Sequence, residues 1–454
     1  MLRSVNPATG QTLREYPEAD AREQADALQA AHHAFEEWRH AGFSERAAPL
    51  RRAAALLRER QRDYAVLMAA EMGKPVAQGR PEAEKCAWVC EWFAENGKAL
   101  LAPEEVKTDA ARSFVTFAPL GVVLAIMPWN FPFWQVFRFA APALMAGNAG
   151  LLKHAPNVPG CAVAIEDLFR DAGFPAGLFK ALLIDIGPVA GLIAAPEVRA
   201  VTLTGSTRAG RAVAAQAGGS LKKTVLELGG SDPYVVLEDA DLDLAAETCV
   251  ASRLLNSGQS CIAAKRFIVV DAVRTRFEEL FVAKMKARRM GDPMDEGTDI
   301  GPLARHDLRD ALHRQVTRSV AGGARVLLGA TVPPGPGAYY PATVLTDVGK
   351  GMPAFDEELF GPVAAIVAVP DEAAAVRAAN DSAYGLGAAV FTRDGARGER
   401  LAAGALEAGS CFVNALVKSD PRLPFGGIKD SGYGRELSSF GIREFVNVKT
   451  VYVR

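Results

Sequence analysis

From about residue 112 onward, short apolar runs alternate with segments of helix length, and that alternation restricts the chain to few folds. A first series occupies 122–126, 150–153, 179–184, 201–204 and 224–228. A second, after Gly229-Gly230, occupies 234–237, 266–270, 325–328, 363–369, 388–392 and 410–414. Continuous apolar strands separated by helices are the mark of parallel sheets covered on both faces. Each series therefore predicts a doubly wound α/β domain, and 454 residues suffice for two or three domains.

Ahead of the first series the spacing predicts covering helices over 21–40 and 46–72, the second stopped by Gly73-Lys74-Pro75. Asn6-Pro7-Ala8-Thr9-Gly10 reads as a turn, and the Pro/Gly-rich piece 332–337 as a surface loop. Two β-like runs, 112–119 and 445–453, belong to neither series. Such strands leave open edges, so they predict an arm joining another subunit or an added edge strand of their own domain.

Composition closes off several functions. Apolar residues at 49% and charged residues at 23% describe a globular protein, and a net charge of −2 gives no electrostatic case for nucleic acid or an anionic membrane. The apolar runs are far shorter than the ~20 residues a membrane span requires. Six scattered cysteines and an N-terminus without an apolar signal region point to a reduced, cytoplasmic setting. Cys86 and Cys90 share a helix face, but with six histidines and no second cysteine pair at ligand spacing they read as packing residues, and no metal is expected.

The stretch 256–264, Asn-Ser-Gly-Gln-Ser-Cys-Ile-Ala-Ala, sets Cys261 directly after a small-residue turn. A thiol reacts as thiolate and needs access, which Gly258 and Ser260 permit; a buried, inert cysteine is the competing reading. In Thr204-Gly205-Ser206 a strand runs into a glycine and a helix start, a place that favours phosphate. The Gly-x-Gly-x-x-Gly fingerprint is absent, and Arg211-Ala212 stands where a P-loop needs Lys and Ser or Thr. Lys153 falls at a strand end, where ligands of open α/β sheets bind, although most lysines are simply solvated. Asn130, in Pro-Trp-Asn, offers a neutral donor for an oxyanion near Cys261. Glu227, at an apolar strand end, is a candidate general base if burial raises its pKa. Glu358 adds a carboxylate, with the Phe360 ring beside it.

Gly-Gln-Ser-Cys261, Glu227-Leu-Gly-Gly, Pro-Trp-Asn130, the Thr-Gly-Ser turn, Glu358-Leu-Phe-Gly-Pro and the late Pro424-Phe-Gly-Gly-Ile-Lys-Asp-Ser-Gly-Tyr-Gly-Arg-Glu436 occur together. With them the sequence resembles the NAD(P)-dependent aldehyde dehydrogenase superfamily, from Asn6 to the C-terminus. The resemblance implies a dinucleotide-binding domain over 1–111 and 120–226, a catalytic domain over 227–420, and an oligomerisation arm from 112–119 and 435–454. It implies attack of Cys261 on an aldehyde, hydride transfer to the cofactor, and hydrolysis of the thioester by water that Glu227 activates. The oxyanion would lie on Asn130 and the Cys261 N–H. For the cofactor it assigns Lys153 and Glu358 to the ribose hydroxyls, Ser206 and the Gly205 turn to the pyrophosphate, and Phe360 to the nicotinamide side, with Trp129 and Gly229 also on the cofactor. The run Lys153-His154-Ala155-Pro156-Asn157 lacks the acidic residue of strictly NAD-dependent members, so use of both NAD and NADP is expected.

Within the family the chain looks closest to short bacterial succinate-semialdehyde dehydrogenases. Arg138 and Ser419 match the residues that hold the substrate carboxylate there, and Trp134 matches a pocket wall. An arginine on so apolar a segment is costly unpaired, and an internal acid would satisfy it as well as a substrate would. Ile262 and Ala263 follow Cys261, so no neighbouring cysteine is available for a redox disulfide. The other readings are a dehydrogenase for another semialdehyde or a medium-chain aldehyde, a thiol hydrolase without redox chemistry, and a scaffold that has lost activity. A homodimer or homotetramer is expected.

Overall fold

A computed structural model describes all residues 1–454. The first apolar series forms a six-stranded sheet. Its order is Gly432–Tyr433, Lys223–Glu227, Val198–Thr204, Val122–Met127, Ala149–His154 and Phe179–Ala181. The five strands of the series run parallel; the late edge strand Gly432–Tyr433 runs antiparallel and brings the C-terminal region against Glu227. The second series, joined by a strand Thr343–Thr346 that it did not include, forms a seven-stranded sheet ordered Arg325–Leu328, Thr343–Thr346, Val363–Val369, Arg266–Val270, Pro233–Val236, Gly387–Phe391 and Ser410–Val413. Only Arg325–Leu328 is antiparallel. Alternate residues of this sheet enter different cores, Val235 and Ile268 on one face, Val236 and Phe267 on the other, as the two-residue period of a doubly covered strand requires.

The N-terminal region departs from the expected helices in two ways. The run over 46–72 is two helices, Phe43–Glu59 and Gln61–Met72, because Arg60 leaves helical geometry (φ −99°, ψ 13°) and its guanidinium bonds Asp171, 2.7 Å away on the Pro159–Asp171 helix. Beyond the expected stop, where Gly73 is left-handed at φ 79°, a further helix spans Val76–Leu100 and packs against the Trp134–Ala146 helix. Cys86 and Cys90 are both fully buried on it. Residues 6–10 turn between two short paired strands, Leu2–Val5 and Thr12–Tyr16.

The remaining β-runs pair with each other: Val446–Val453 lies antiparallel to Arg112–Pro119, which also holds Glu104–Glu105. This three-stranded sheet is separate from both large ones, and its outer strand Val446–Val453 has an unpaired edge with Val448 and Tyr452 exposed. No helix is long and apolar enough to cross a membrane.

Candidate active site

The strand Val122–Met127 is buried along nearly its whole length and ends at Pro128-Trp129-Asn130, from which the chain turns into the fully buried helix Trp134–Ala146. Two amides at that helix start, Phe133 N–H and Trp134 N–H, donate to the Glu82 carboxylate at 3.0 Å each, and buried Lys74 neutralises Glu82. A carboxylate at a helix N-terminus is favoured by the exposed N–H groups and the helix dipole. This fixes the turn carrying Asn130. The Asn130 side chain accepts from Gln135 Nε2 at 3.1 Å and donates from Nδ2 to the Gln259 carbonyl at 3.0 Å. Its second amide hydrogen is not consumed by that bond.

Gln259 belongs to the cysteine loop, which holds an unusual backbone. Asn256 and Ser257 are left-handed at φ 53° and 55°, a conformation that costs about 1–2 kcal/mol per residue for side chains with a Cβ. Several bonds compensate: Asn256 Nδ2 donates to the Asn130 carbonyl at 2.6 Å, Ser257 Oγ accepts from Gly301 N at 2.9 Å, and Arg253 donates to the Gly258 carbonyl at 2.6 Å. Lys265 Nζ closes the loop, donating to the carbonyls of Ser260, Cys261 and Ala263 at 3.0, 2.7 and 3.0 Å.

Cys261 lies partly exposed in a cavity of about 230 Å³, lined also by Trp129, Asn130, Gly205, Ser206, Gly229, Glu358 and Phe360. Burial pushes the Cys261 thiol up to about 12, against the opposing pull of Arg138 and Lys265. At neutral pH the thiol therefore keeps its proton until a base removes it.

The fold brings most of the proposed cofactor residues to this cavity. Ser206 caps the helix Thr207–Gly219, its Oγ accepting from Ala209 N at 3.3 Å, which leaves the Ser206 O–H and the other first-turn amides as donors for an anion. A Cβ on Gly205 would meet only Leu203, at 3.6 Å, so the backbone lies open to a ligand. Glu358 accepts from Gly230 N at 3.0 Å, stands 3.6 Å from Lys265 Nζ, and packs so closely that a Cβ on Gly229 would lie 2.6 Å from its Oε2. Phe360 meets Trp129 edge to face, centroids 5.8 Å apart. Lys153 does not line the cavity; it is buried at its strand end with no acidic partner, and burial lowers its pKa. An open turn, free helix amides and an unpaired cation fit a dinucleotide.

Glu227 also lies outside the cavity lining, 2% exposed, with neither carboxylate oxygen hydrogen-bonded. Burial holds its pKa well above the carboxylate range; Arg138 opposes this and Glu436 adds to it. Arg138, expected on a substrate carboxylate, is ion-paired with buried Glu436, donates to Thr204 Oγ1 at 3.4 Å and stacks over Phe425. Ser419 and Trp134 meet elsewhere, around Lys85: Lys85 Nζ donates to Ser419 Oγ at 2.8 Å and lies 4.4 Å from the Trp134 ring centroid. Sequence reasoning missed Lys85, Gln135, Lys265 and Glu436 as site residues. A lysine at 85 beside the apolar run 86–90 was the one available signal.

One cavity of this α/β protein thus brings together a cysteine thiol, a side-chain amide and an open turn at a helix start. The model of the aldehyde dehydrogenase family matches residues 1–451. The succinate semialdehyde dehydrogenase [NAD(P)+] Sad of Escherichia coli (strain K12) is 50% identical over 99% of this chain and 97% of that protein. A probable succinate-semialdehyde dehydrogenase [NADP(+)] of Synechocystis is 50% identical over 100% of this chain and 99% of its own. The crystal structure of succinic semialdehyde dehydrogenase from Streptococcus pyogenes in complex with NADP+ superposes with TM-score 0.97 at 37% identity, covering 100% of both chains. This chain belongs to the aldehyde dehydrogenase family.

Proposed function

We propose that this protein oxidises succinate semialdehyde to succinate using NAD+ or NADP+. The observation that carries the reading is that Cys261, Asn130 and the Gly205 turn open into one cavity, in a chain half identical to enzymes named for that substrate. Cys261 Sγ bonds the aldehyde carbon as its proton passes to Glu227, whose ionised form the Arg138 charge favours. The new oxyanion is met by the free Asn130 amide hydrogen and the Cys261 N–H; losing one such donor typically costs about 3–4 kcal/mol of barrier. The Gly205 turn, the first-turn amides of the Thr207–Gly219 helix, Glu358 and Lys153 would hold an oxidised nicotinamide cofactor, which would supply the hydride acceptor for the tetrahedral carbon. A thioester on Cys261 remains. Once Glu227 has passed the thiol's proton to solvent and is ionised again, it takes a proton from water as the water oxygen attacks the thioester carbon, and the Cys261 thiolate departs, releasing the acid.

Both cofactors fit the strand end. No carboxylate follows Lys153 to repel a 2′-phosphate, and both polar side-chain atoms of Asn157 are buried without a partner. A preference above roughly a hundredfold, about 2.7 kcal/mol, would count against dual use. The division into cofactor domain, catalytic domain and arm belongs to the same reading. So does a homodimer or homotetramer built on the open Val446–Val453 edge, which a single-chain mass in gel filtration would refute, and so does a cytoplasmic setting for six unpaired cysteines. Absorbance at the reduced-nicotinamide band after adding succinate semialdehyde and either cofactor tests the whole. A thiol hydrolase gives no signal.

A further inference from the structure

We propose that Lys265 is a positioning residue for the reaction: by gathering the carbonyls of the cysteine loop on one side, its buried ammonium turns the Cys261 N–H towards the reacting atoms. This rests on the reading of Cys261 as the nucleophile given above. A single peptide unit carries the inference. The carbonyl of Ser260 and the N–H of Cys261 belong to one plane, and because the peptide is trans they point in opposite directions. Lys265 Nζ holds that carbonyl at 3.0 Å, so the N–H is directed away from the lysine. The Cys261 N–H donates to no group of the protein, and Cys261 lines the cavity.

The other two ammonium hydrogens go to the carbonyls of Cys261, at 2.7 Å, and Ala263, at 3.0 Å. All three donors of the lysine are therefore spent on the nucleophile's own loop. Turning any of these peptides would leave an ammonium hydrogen and a carbonyl unpaired in the interior, which buried polar groups do not tolerate. A side chain with fewer donors on one atom could not hold three carbonyls at once.

Lys265 is itself fixed from behind. It immediately precedes the strand Arg266–Val270 in the seven-stranded sheet, donating from its backbone to the Asp232 carbonyl at 3.1 Å and accepting from Ala365 N at 3.0 Å. Burial works against the charge of its ammonium, and Glu358, 3.6 Å away, and Asp232 support it. Glu358 is held in turn by the Gly230 N–H, and a Cβ on Gly230 would lie 2.6 Å from the Cys261 carbonyl oxygen, so the Cys261 peptide is enclosed from that side too.

The test uses two reactions. Oxidation of succinate semialdehyde needs a hydride acceptor. Acylation by 4-nitrophenyl acetate, in which the Cys261 sulfur bonds the acyl carbon and 4-nitrophenolate leaves, needs only the nucleophile and its oxyanion donors. Rates are referred to folded protein, measured by circular dichroism. Lys265→Met keeps the stem and loses the donors; it should lower kcat for the aldehyde and the ester acylation rate together, each about 100-fold, with KM for the aldehyde changed less than about threefold. Lys265→Gln, which restores amide donors without the charge, should recover about 10-fold of that loss. An acylation rate per folded protein at the wild-type level in Lys265→Met overturns the proposal, because a merely structural lysine would change only the amount of folded protein. If Lys265→Met does not fold, Lys265→Gln decides by the same rate, a wild-type value again sinking the idea. Lost acylation in Lys265→Met supports the proposal even where the wild type gives no reduced nicotinamide from succinate semialdehyde, the result that overturns the substrate reading alone.

Discussion

Arg138 and Glu436 form an ion pair closed to solvent, their side chains 3% and 4% exposed, and Glu227 lies within reach of both charges. The pair joins the helix that follows the turn of Asn130 to the C-terminal segment that covers Glu227. Removing one partner of such a pair leaves an uncompensated buried charge and costs about 3–5 kcal/mol. Glu436→Gln should therefore lower the melting temperature markedly. It should also draw the Glu227 pKa down, since Glu436 raises it and Arg138 opposes. The alkaline rise in thioester hydrolysis would then move to lower pH, and a pH–rate profile identical to wild type would contradict the coupling.

The Cys261 thiol, raised to about 12 by burial, should alkylate slowly in the free protein. Its rate with iodoacetamide should climb with pH throughout the range from 7 to 10 without levelling, because the thiolate fraction is still rising there. A plateau near neutrality would show a resting thiolate and contradict the assignment.

Gly258 cannot be replaced. Its φ of 77° is left-handed, and a Cβ there would stand 2.2 Å from the Gly361 carbonyl oxygen. Gly258→Ala must displace the cysteine loop or the segment carrying Glu358 and Phe360. The expected result is loss of turnover with a lower melting temperature. Wild-type kcat in that variant would refute the close approach.

His154 gives stability a pH dependence. Its Nδ1 accepts from Ala155 N at 2.8 Å while Nε2 faces the Pro132 carbonyl at 2.9 Å, an arrangement that suits the neutral ring with its proton on Nε2. Burial lowers its pKa from 6.5 to about 4, which corresponds to roughly 3 kcal/mol favouring the neutral ring. That contribution is complete above pH 6.5 and is lost as pH falls from there through 4, because the unfolded chain binds the proton first. Thermal melts across this range should show the loss, and His154→Gln should flatten it.

Much of the architecture was legible without coordinates. The two strand series became the two sheets, and the orphan runs 112–119 and 445–453 found each other, because a two-residue period and an unsatisfied edge are local properties of a strand. The 46–72 run was misjudged for the complementary reason: its helical period continues through Arg60, and only the contact with Asp171 marks the break.

By itself the sequence determined the sheet order's raw material, the turn that exposes Cys261 and the strand ends that present Asn130, Glu227 and Lys153, since each depends on neighbours a few residues away. Tertiary structure alone decided which charge answers which. Lys85 meets Ser419, Arg138 meets Glu436 and Asn130 holds Gln259 across long stretches of chain. An arginine or lysine carries its charge in the sequence, but its partner is whichever group the fold brings within about 4 Å in a place where water cannot compete.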